Sequence, residues 1–355
     1  CTGTNYDSKL SVFSGTCGAL VCEGGDDDFC SFAGPSQVTI PTTSGTTYYV
    51  LVHGFGGATG TFNLTVTCTC PTLSVDPVPN QTVCNNAATT AVTFTGLEPA
   101  TVYSWTNDNT SIGLAASGTG NIASFTATNT GSAPVTATIT VTPTYVGCPD
   151  GPSRTFTITV NPTPNAVATP ASQTICSGAA ITPIVLTSGV AGTTYTWTRN
   201  NTAGVTGIPG NGVGNISGSL TNITAAPITV TFTITPTANG CPGPTSKATV
   251  LVNPTPVAVA TPSCQTVCSG AAITTIALTS TTAGTTFAWT RDNAAAVTGI
   301  PGNGTGNISG TLTNITLAPV TVTFTITSTA NGCPGATITA TVTVNPTPQV
   351  DQPAN

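Results

Sequence analysis

The sequence predicts an all-β protein built from tandem two-sheet sandwiches, and three observations support this. The chain repeats itself every 92 residues, its apolar residues alternate with polar ones, and each repeat carries one tryptophan and a pair of cysteines. The interval is set by Cys84, Cys176 and Cys268 (176 − 84 = 92 and 268 − 176 = 92). Repetition at a fixed period is the signature of an array of similar structural units.

The alternation of side chains predicts strands within each repeat. Residues 228–235 read Ile-Thr-Val-Thr-Phe-Thr-Ile-Thr, which places the apolar side chains on one face and threonines on the other. Residues 193–198 and 248–252 predict further strands, and no segment of the repeats has helical spacing. Six to eight short strands in about 92 residues, with one tryptophan, fit an immunoglobulin-like sandwich.

The repeats predict the domain organisation. Residues 165–256 and 257–348 align without a gap and differ at 22 of 92 positions, whereas residues 71–164 form a more diverged first repeat. Residues 1–70 form a separate piece. Residues 349–355 resemble the opening of the first repeat, so we expect them to begin a further repeat or to form a terminal strand that completes a neighbour. The Asn-Pro-Thr-Pro string that ends each repeat predicts a stiff joint, because proline restricts its own and the preceding residue's backbone.

Composition narrows the function. Only 5% of the residues are charged and the net charge is −6, with five basic residues in 355. Nucleic acids and anionic membranes are recognised by clustered lysine and arginine, which this sequence lacks. Thirteen cysteines indicate an oxidising compartment, so we expect a secreted or surface-attached protein.

Cysteine spacing predicts which disulfides form. The second cysteine of each repeat follows the first at nearly the same interval (148 − 84 = 64, 241 − 176 = 65 and 333 − 268 = 65). This favours a bond inside each repeat, and the expected pairs are Cys84 with Cys148, Cys176 with Cys241, and Cys268 with Cys333. Each would contribute about 4 kcal/mol in the chain-entropy treatment. Cys17 and Cys22 bracket a short loop and are expected to pair. Cys264 is the extra cysteine of the third repeat, and we expect a free thiol, a partner of the N-terminal cysteines, or a link between chains.

The N-terminal piece differs in kind from the repeats. Residues 7–15, 48–52 and 61–67 predict strands, and their order resembles the pre-peptidase C-terminal type of β-sandwich found in secreted bacterial proteins. Asp7, Asp26, Asp27 and Asp28 offer carboxylate oxygens for a calcium ion. The alternative is a solvated acidic turn, since the spacing does not match an EF-hand loop.

No catalytic constellation is evident. His53 is the single histidine, without a nucleophile motif beside it, and the acidic residues outside the N-terminal loop are isolated. The glycine-rich residues 207–214 predict a long hairpin turn. Trp105, Trp197 and Trp289 are interpreted as core residues, against the alternative of an exposed sugar-stacking platform. Asn-x-Ser/Thr sequons such as those at Asn222 and Asn314 permit glycosylation without indicating it.

Short motifs in the repeats carry a family resemblance. Cys-Ser-Gly at 176 and 268, Gly-Cys-Pro-Gly at 240 and 332, and the terminal Val-Asn-Pro-Thr-Pro resemble the PKD-like repeats of very long surface proteins of gliding bacteria. The resemblance implies an immunoglobulin-type fold, export by a type IX secretion system, and a role in adhesion or surface filaments.

We therefore expect a non-enzymatic structural segment of an extracellular filament or adhesin stalk. Its expected partners are further repeats of the same chain or neighbouring copies, and surface glycans are a further candidate. No cofactor is expected apart from calcium. The alternative function is a carbohydrate-binding accessory array of a secreted hydrolase.

Overall fold

The computed structural model describes residues 6–27, 36–43 and 45–349, and the statements below concern these residues. Strands dominate, and no α-helix is present in these ranges; two single 3-10 turns span Phe55–Gly57 and Thr110–Ile112. None of the helical segments in this part of the chain is long or apolar enough to cross a membrane.

The N-terminal piece forms one antiparallel sheet. Its strands are β1 (Ser8–Thr16), β2 (Ala19–Asp26) and β3 (Tyr48–Gly54), in the order β2-β1-β3. Residues 61–67, which the sequence predicts as a strand, have no regular structure, and Phe62, Leu64 and Val66 are exposed. This prediction is wrong, because the segment pairs with none of the strands in the described part of the chain. The described residues of this piece also contain no second sheet, which a sandwich requires.

Residues 71–164, 165–256 and 257–348 are called modules one, two and three. In module one the large sheet has the order β4-β8-β7-β5-β6. Its strands are β4 (Gln81–Cys84), β5 (Val102–Asn107), β6 (Ser117–Thr119), β7 (Val135–Thr144) and β8 (Arg154–Asn161). The first strand, β4, runs parallel to the last, β8, with Cys84 opposite Asn161.

The large sheets of modules two and three repeat this strand order and add one short strand each, β17 paired with β16 and β27 paired with β26. The large sheet of module two has the order β10-β18-β16-β12-β14, and that of module three β20-β28-β26-β22-β24. Module two contains β9 (Val167–Thr169), β10 (Ser172–Cys176), β11 (Val185–Thr187), β12 (Thr194–Arg199), β13 (Val205–Gly207), β14 (Asn211–Val213), β15 (Leu220–Asn222), β16 (Ile228–Ala238), β17 (Cys241–Pro242) and β18 (Ser246–Asn253). Module three contains β19 (Ala258–Thr261), β20 (Cys264–Cys268), β21 (Ala277–Ser280), β22 (Thr286–Arg291), β23 (Val297–Gly299), β24 (Asn303–Thr305), β25 (Leu312–Asn314), β26 (Val320–Ala330), β27 (Cys333–Pro334) and β28 (Ile338–Asn345).

Each module has its own hydrophobic core between two layers. The alternating strand of residues 228–235 lies within β16, and its apolar side chains Val230, Phe232 and Ile234 are fully buried while its threonines are not. The opposite layer consists of short pairs, β9 with β11 and β13 with β15, together with isolated bridges. The two layers make each module an immunoglobulin-like sandwich, as the sequence predicts.

The tryptophans belong to these cores. Trp197 is 7% exposed, meets Phe232 edge to face at 5.6 Å, and donates its indole hydrogen to the carbonyl of Gly214. A Cβ on Gly212 would lie 2.2 Å from the indole ring, so only glycine allows β14 to cross the tryptophan here. Part of the glycine-rich string is therefore a strand that covers the core, and its prediction as one long hairpin turn is wrong.

Buried polar side chains tie loops to the core strands. Asn222 donates to the carbonyls of Ala226 (2.7 Å) and Val252 (2.9 Å), and Asn314 makes the same pair of bonds in module three. Both asparagines stand in sequons, but both are buried with their amide hydrogens already donated, so the folded modules cannot carry glycans at these positions.

One arginine per module organises the loop that follows the tryptophan strand in modules two and three. Arg199 donates to the carbonyls of Ile208 (2.7 Å) and Val205 (3.0 Å), and Arg291 does the same for Ile300 and Val297. Burial lowers the pKa of both guanidinium groups. Because the ordinary pKa of arginine is so high, both side chains stay charged at neutral pH, and the carbonyl oxygens that accept their hydrogen bonds stabilise this charge.

Candidate functional site: the joint between modules

The two cysteines of a module lie at its opposite ends. Cys84 ends β4 beside Asn161, at the end of module one where β7 begins. Cys148 follows the far end of β7, a strand of ten residues that spans about 30 Å. A disulfide requires Cα atoms about 4.4–6.8 Å apart, so a bond inside the module is geometrically excluded.

The three predicted pairs within modules are therefore wrong. The structure instead joins Cys84 to Cys241, Cys176 to Cys333, and Cys70 to Cys148, with Cα separations of 5.6, 5.5 and 5.6 Å. The first two bonds connect consecutive modules, and both have a sequence separation of 157. The predicted third pair fails because Cys333 bonds to Cys176, which leaves Cys268 unpaired.

A tight hairpin presents the second cysteine to the preceding module. Asn239 and Gly240 form the two-residue loop between β16 and β17, and both have positive φ (51° and 77°). Asparagine followed by glycine is the preferred pair for this mirror-image turn, whose twist matches that of the strands. The turn projects Cys241, which is 2% exposed, into the joint, and Asn331 and Gly332 repeat the geometry for Cys333.

The linker packs into the joint beside the disulfide. Both prolines of each linker are buried: Pro162 and Pro164 between modules one and two, and Pro254 and Pro256 between modules two and three. A Cβ on Gly243 would lie 1.8 Å from the carbonyl oxygen of Pro164, and Gly335 approaches Pro256 in the same way. The glycine after each Cys-Pro is thus required for the close approach of the linker.

A hydrogen bond crosses each joint at the end of the last strand. Asn161 donates its side-chain amide to the carbonyl of Asn239, and Asn253 donates to that of Asn331, both at 3.2 Å. Each joint is therefore fixed by a peptide linker, a disulfide, and polar contact with the Asn-Gly turn. The sequence motif Asn-Gly-Cys-Pro-Gly provides all the elements that the following module contributes.

Sequence reasoning identified the right cysteines but not their partners. Spacing favours the nearest partner because chain separation carries no information on which end of a sandwich a residue occupies. The position of each cysteine relative to the strands carried the missing information. The first cysteine lies at the end of the module where the last strand runs into the linker, whereas the second follows a long strand that starts at that end and finishes at the opposite one.

The described cysteines outside these three bonds are unpaired. Cys268 is exposed, and so are Cys264, Cys17, Cys22 and Cys68. The predicted Cys17–Cys22 bond is wrong because Cys17 lies in the turn after β1 while Cys22 lies opposite Phe13, three residues further along β2 than Ala19, a distance of about 10 Å along a strand. Cys264 is a free thiol in this chain, and its alternative role as a link between chains remains a prediction.

The calcium prediction is left untested. Asp26 accepts a hydrogen bond from the backbone of Gln37 (2.9 Å), and Asp27 forms an ion pair with Lys9 (3.7 Å). Asp28 lies outside the described residues, so its position relative to the other three predicted calcium ligands is not described. Within the ranges that the structure covers, no group of three or more candidate metal ligands occurs. His53 is exposed on β3, where it lies opposite Lys9 of β1.

Comparison with known proteins places the modules in a structural context. Residues 173–256 and 265–348, in modules two and three, match the PKD-like domain family. No curated protein matches the chain.

Among solved structures, mouse cadherin-23 EC22–24 shares 13% identity over 78% of this chain and 99% of its own, with a TM-score of 0.38. Titin domains I67–I69 share 10% over 78% and 98%, with a TM-score of 0.43. The human desmocollin-1 ectodomain shares 11% over 97% and 75%, with a TM-score of 0.33. The chain is nearly all β, and its modules are immunoglobulin-like tandem repeats joined by disulfides.

Proposed function

We propose that this chain is a non-enzymatic structural segment of an extracellular filament or adhesin stalk. The observation that carries the proposal is the doubly connected joint, in which a peptide linker and a disulfide both cross from one module to the next. A single connection allows neighbouring domains to swivel, whereas two connections oppose bending and twisting.

The position of the joints supports an extended arrangement. Module two contacts module one through Cys241 at one end of β16 and module three through Cys176 at the other end. Because these ends are separated by a strand of eleven residues, modules one and three lie on opposite ends of module two. The disulfides and the prevalence of neutral polar residues are consistent with an extracellular location.

The partner proposed for the array is a further module of the same type. Cys268 occupies in module three the place of Cys176 in module two, at the register position opposite the last asparagine of the module. Asn345 there is half-buried, whereas the equivalent Asn253 is buried and bonded across its joint. We expect Cys268 to receive the Asn-Gly-Cys-Pro turn of another module. The resemblance to surface proteins of gliding bacteria supports export by a type IX system.

The carbohydrate-binding alternative is not favoured by the geometry. Trp105, Trp197 and Trp289 are only 7% to 8% exposed, so these tryptophans do not form a stacking platform for sugars.

Electron microscopy of the purified chain tests the proposed function. Rotary-shadowed molecules should appear as a row of beads with a narrow distribution of angles at each joint, and the distribution should broaden after reduction and alkylation. C264S is a matched control, because its cysteine is exposed and unpaired. Compact particles with the modules folded against one another in the oxidised protein would contradict the proposal.

A chain extended after Pro348 by a second copy of residues 257–348 tests the proposed partner. Disulfide mapping should link Cys268 to the Asn-Gly-Cys-Pro cysteine of the added module. If Cys268 remained open to alkylation in the oxidised extended protein, the assignment of this end as a joint surface would be wrong.

A further inference from the structure

The disulfides between modules create continuous covalent routes that bypass most of each module. From the structure we infer that these routes make the oxidised array almost inextensible, so that it bears tension without lengthening even when its modules unfold. The biological meaning of this inference rests on the proposed structural role. Its physical basis is the pattern of disulfide bonds alone.

The first route passes through the last strand of module one and the first strands of module two. It enters at the Cys70–Cys148 bond, follows the chain from Cys148 to Cys176 (176 − 148 = 28), and leaves by the Cys176–Cys333 bond into module three. Its path runs along β8, through the linker, and along β9 and β10.

The second route uses the complementary strands. It follows the chain from Cys70 through β4 to Cys84, and crosses to module two by the Cys84–Cys241 bond. From there it continues along β18, β19 and β20 to Cys268 (268 − 241 = 27). Each joint is therefore crossed once by peptide and once by disulfide, and the two routes exchange these roles at successive joints.

The two routes lie side by side in every module. Strand β4 pairs in parallel with β8, β10 with β18, and β20 with β28. The chain segments that contain the two members of each pair run from one end of the module towards the other, so tension along the array acts along paired strands that are already extended. The residues between the two cysteines of a module, including its tryptophan, lie in closed loops outside the load path.

The lengths of the routes set the limit on extension. Without disulfides the whole chain from Cys70 to Gln349 bears the load (349 − 70 = 279), which is about 920–1,000 Å when fully extended. With the bonds in place the shortest covalent path consists of residues 148–176 and 333–349, about 150 Å when fully extended. Three folded modules, each about a dozen strand residues long, already span about 120 Å.

This arrangement gives an asymmetric prediction for the two inter-module bonds. Removing the bond between Cys84 and Cys241 leaves the first route intact, so the extension limit stays unchanged. Removing the bond between Cys176 and Cys333 leaves residues 70–84 and 241–349 as the shortest path. The limit then rises by about 260–280 Å, the contour length of about 78 residues.

Single-molecule force spectroscopy of the full chain tests the inference, with thiol-independent tags at both termini. We compare the parent protein with C84S/C241S, C176S/C333S and the control C264S, each with its remaining bonds verified by mass spectrometry. We expect the first and the control to match the parent, C176S/C333S to extend by about 260–280 Å more, and the reduced parent to extend by about 800 Å more.

Two outcomes would overturn the inference. One is an oxidised parent that lengthens by a whole module of about 300 Å at a time, and the other is an equal gain for the two double variants. The limit depends on covalent connectivity and not on folding, so a destabilised variant still gives a decisive answer. Because the measurement does not depend on where the protein acts, its failure would leave the extracellular role to be decided by microscopy.

Discussion

Modules two and three are near copies, yet their C-terminal ends differ. In module two, Cys176 is bonded to the next module and Asn253 is 6% exposed with its amide donated across the joint. In module three, Cys268 is exposed and unpaired, Asn345 is half-buried, and Pro348 is exposed where Pro256 is buried. These residues are thus buried by the neighbouring module rather than by their own, while the cores of the two modules are closely alike.

The largest expected effect is the loss of module stability when the core tryptophan is removed, and it tests whether the cores of modules two and three are equivalent. Replacing Trp197 or Trp289 by alanine removes a buried indole that packs on Phe232 or Phe324 at 5.6 Å. Each substitution should destabilise its own module by about 3–5 kcal/mol, and hydrogen exchange resolved by peptide measures each module separately. A loss confined to one of the two variants would contradict the equivalence of the cores.

A smaller effect should separate the two ends. Asn253→Ala removes the bond to the carbonyl of Asn331 and should cost about 1 kcal/mol in the stability of the joint. Asn345→Ala, its matched control, should have no measurable effect in this chain. Exchange of backbone amides in the Asn331–Gly332 turn reports the difference, and equal protection in the two variants would show that the cross-joint bond is not significant.

The smallest effect concerns pH. Burial raises the pKa of Tyr103 and Tyr195, so these tyrosines ionise at a lower pH in the unfolded state than in the folded state. Their contribution to the free energy of unfolding is therefore fully present below about pH 10, the ordinary tyrosine value, and is lost as the pH rises through the folded-state pKa. Modules one and two, which contain these tyrosines, should weaken above about pH 10, whereas module three has Phe287 in place of Tyr195 and should respond less. Thermal melting in alkaline buffers, followed by peptide-resolved exchange, checks this order. A module three that weakened as much as module two would assign the alkaline transition to another group.

The sequence was sufficient for the fold because alternation and repetition are local or periodic signals. Residues 228–235 identify their own strand, and Trp197 its own core. The joint was not predictable in the same way, since the partner of Cys176 depends on which end of a sandwich each cysteine reaches. The strand prediction for residues 61–67 is wrong for a related reason. Alternation of apolar and polar residues does not show whether a neighbouring strand is present to pair with the segment.

The glycines also fall into those that local sequence explains and those that only contacts between distant segments explain. Gly240 could be recognised from the Asn-Gly pair as a tight turn, but Gly212 and Gly243 are required by contacts with Trp197 and with the linker carbonyl of Pro164. Contacts of this kind arise only when distant segments are brought together, and single-sequence patterns do not encode them directly.

Disulfide mapping of the oxidised protein tests the central claim most directly. Digestion under non-reducing conditions at low pH, followed by mass spectrometry, should recover linked peptides that contain Cys84 with Cys241 and Cys176 with Cys333, and an unlinked peptide that contains Cys268. Linked pairs within modules, Cys84 with Cys148 and Cys176 with Cys241, would contradict it.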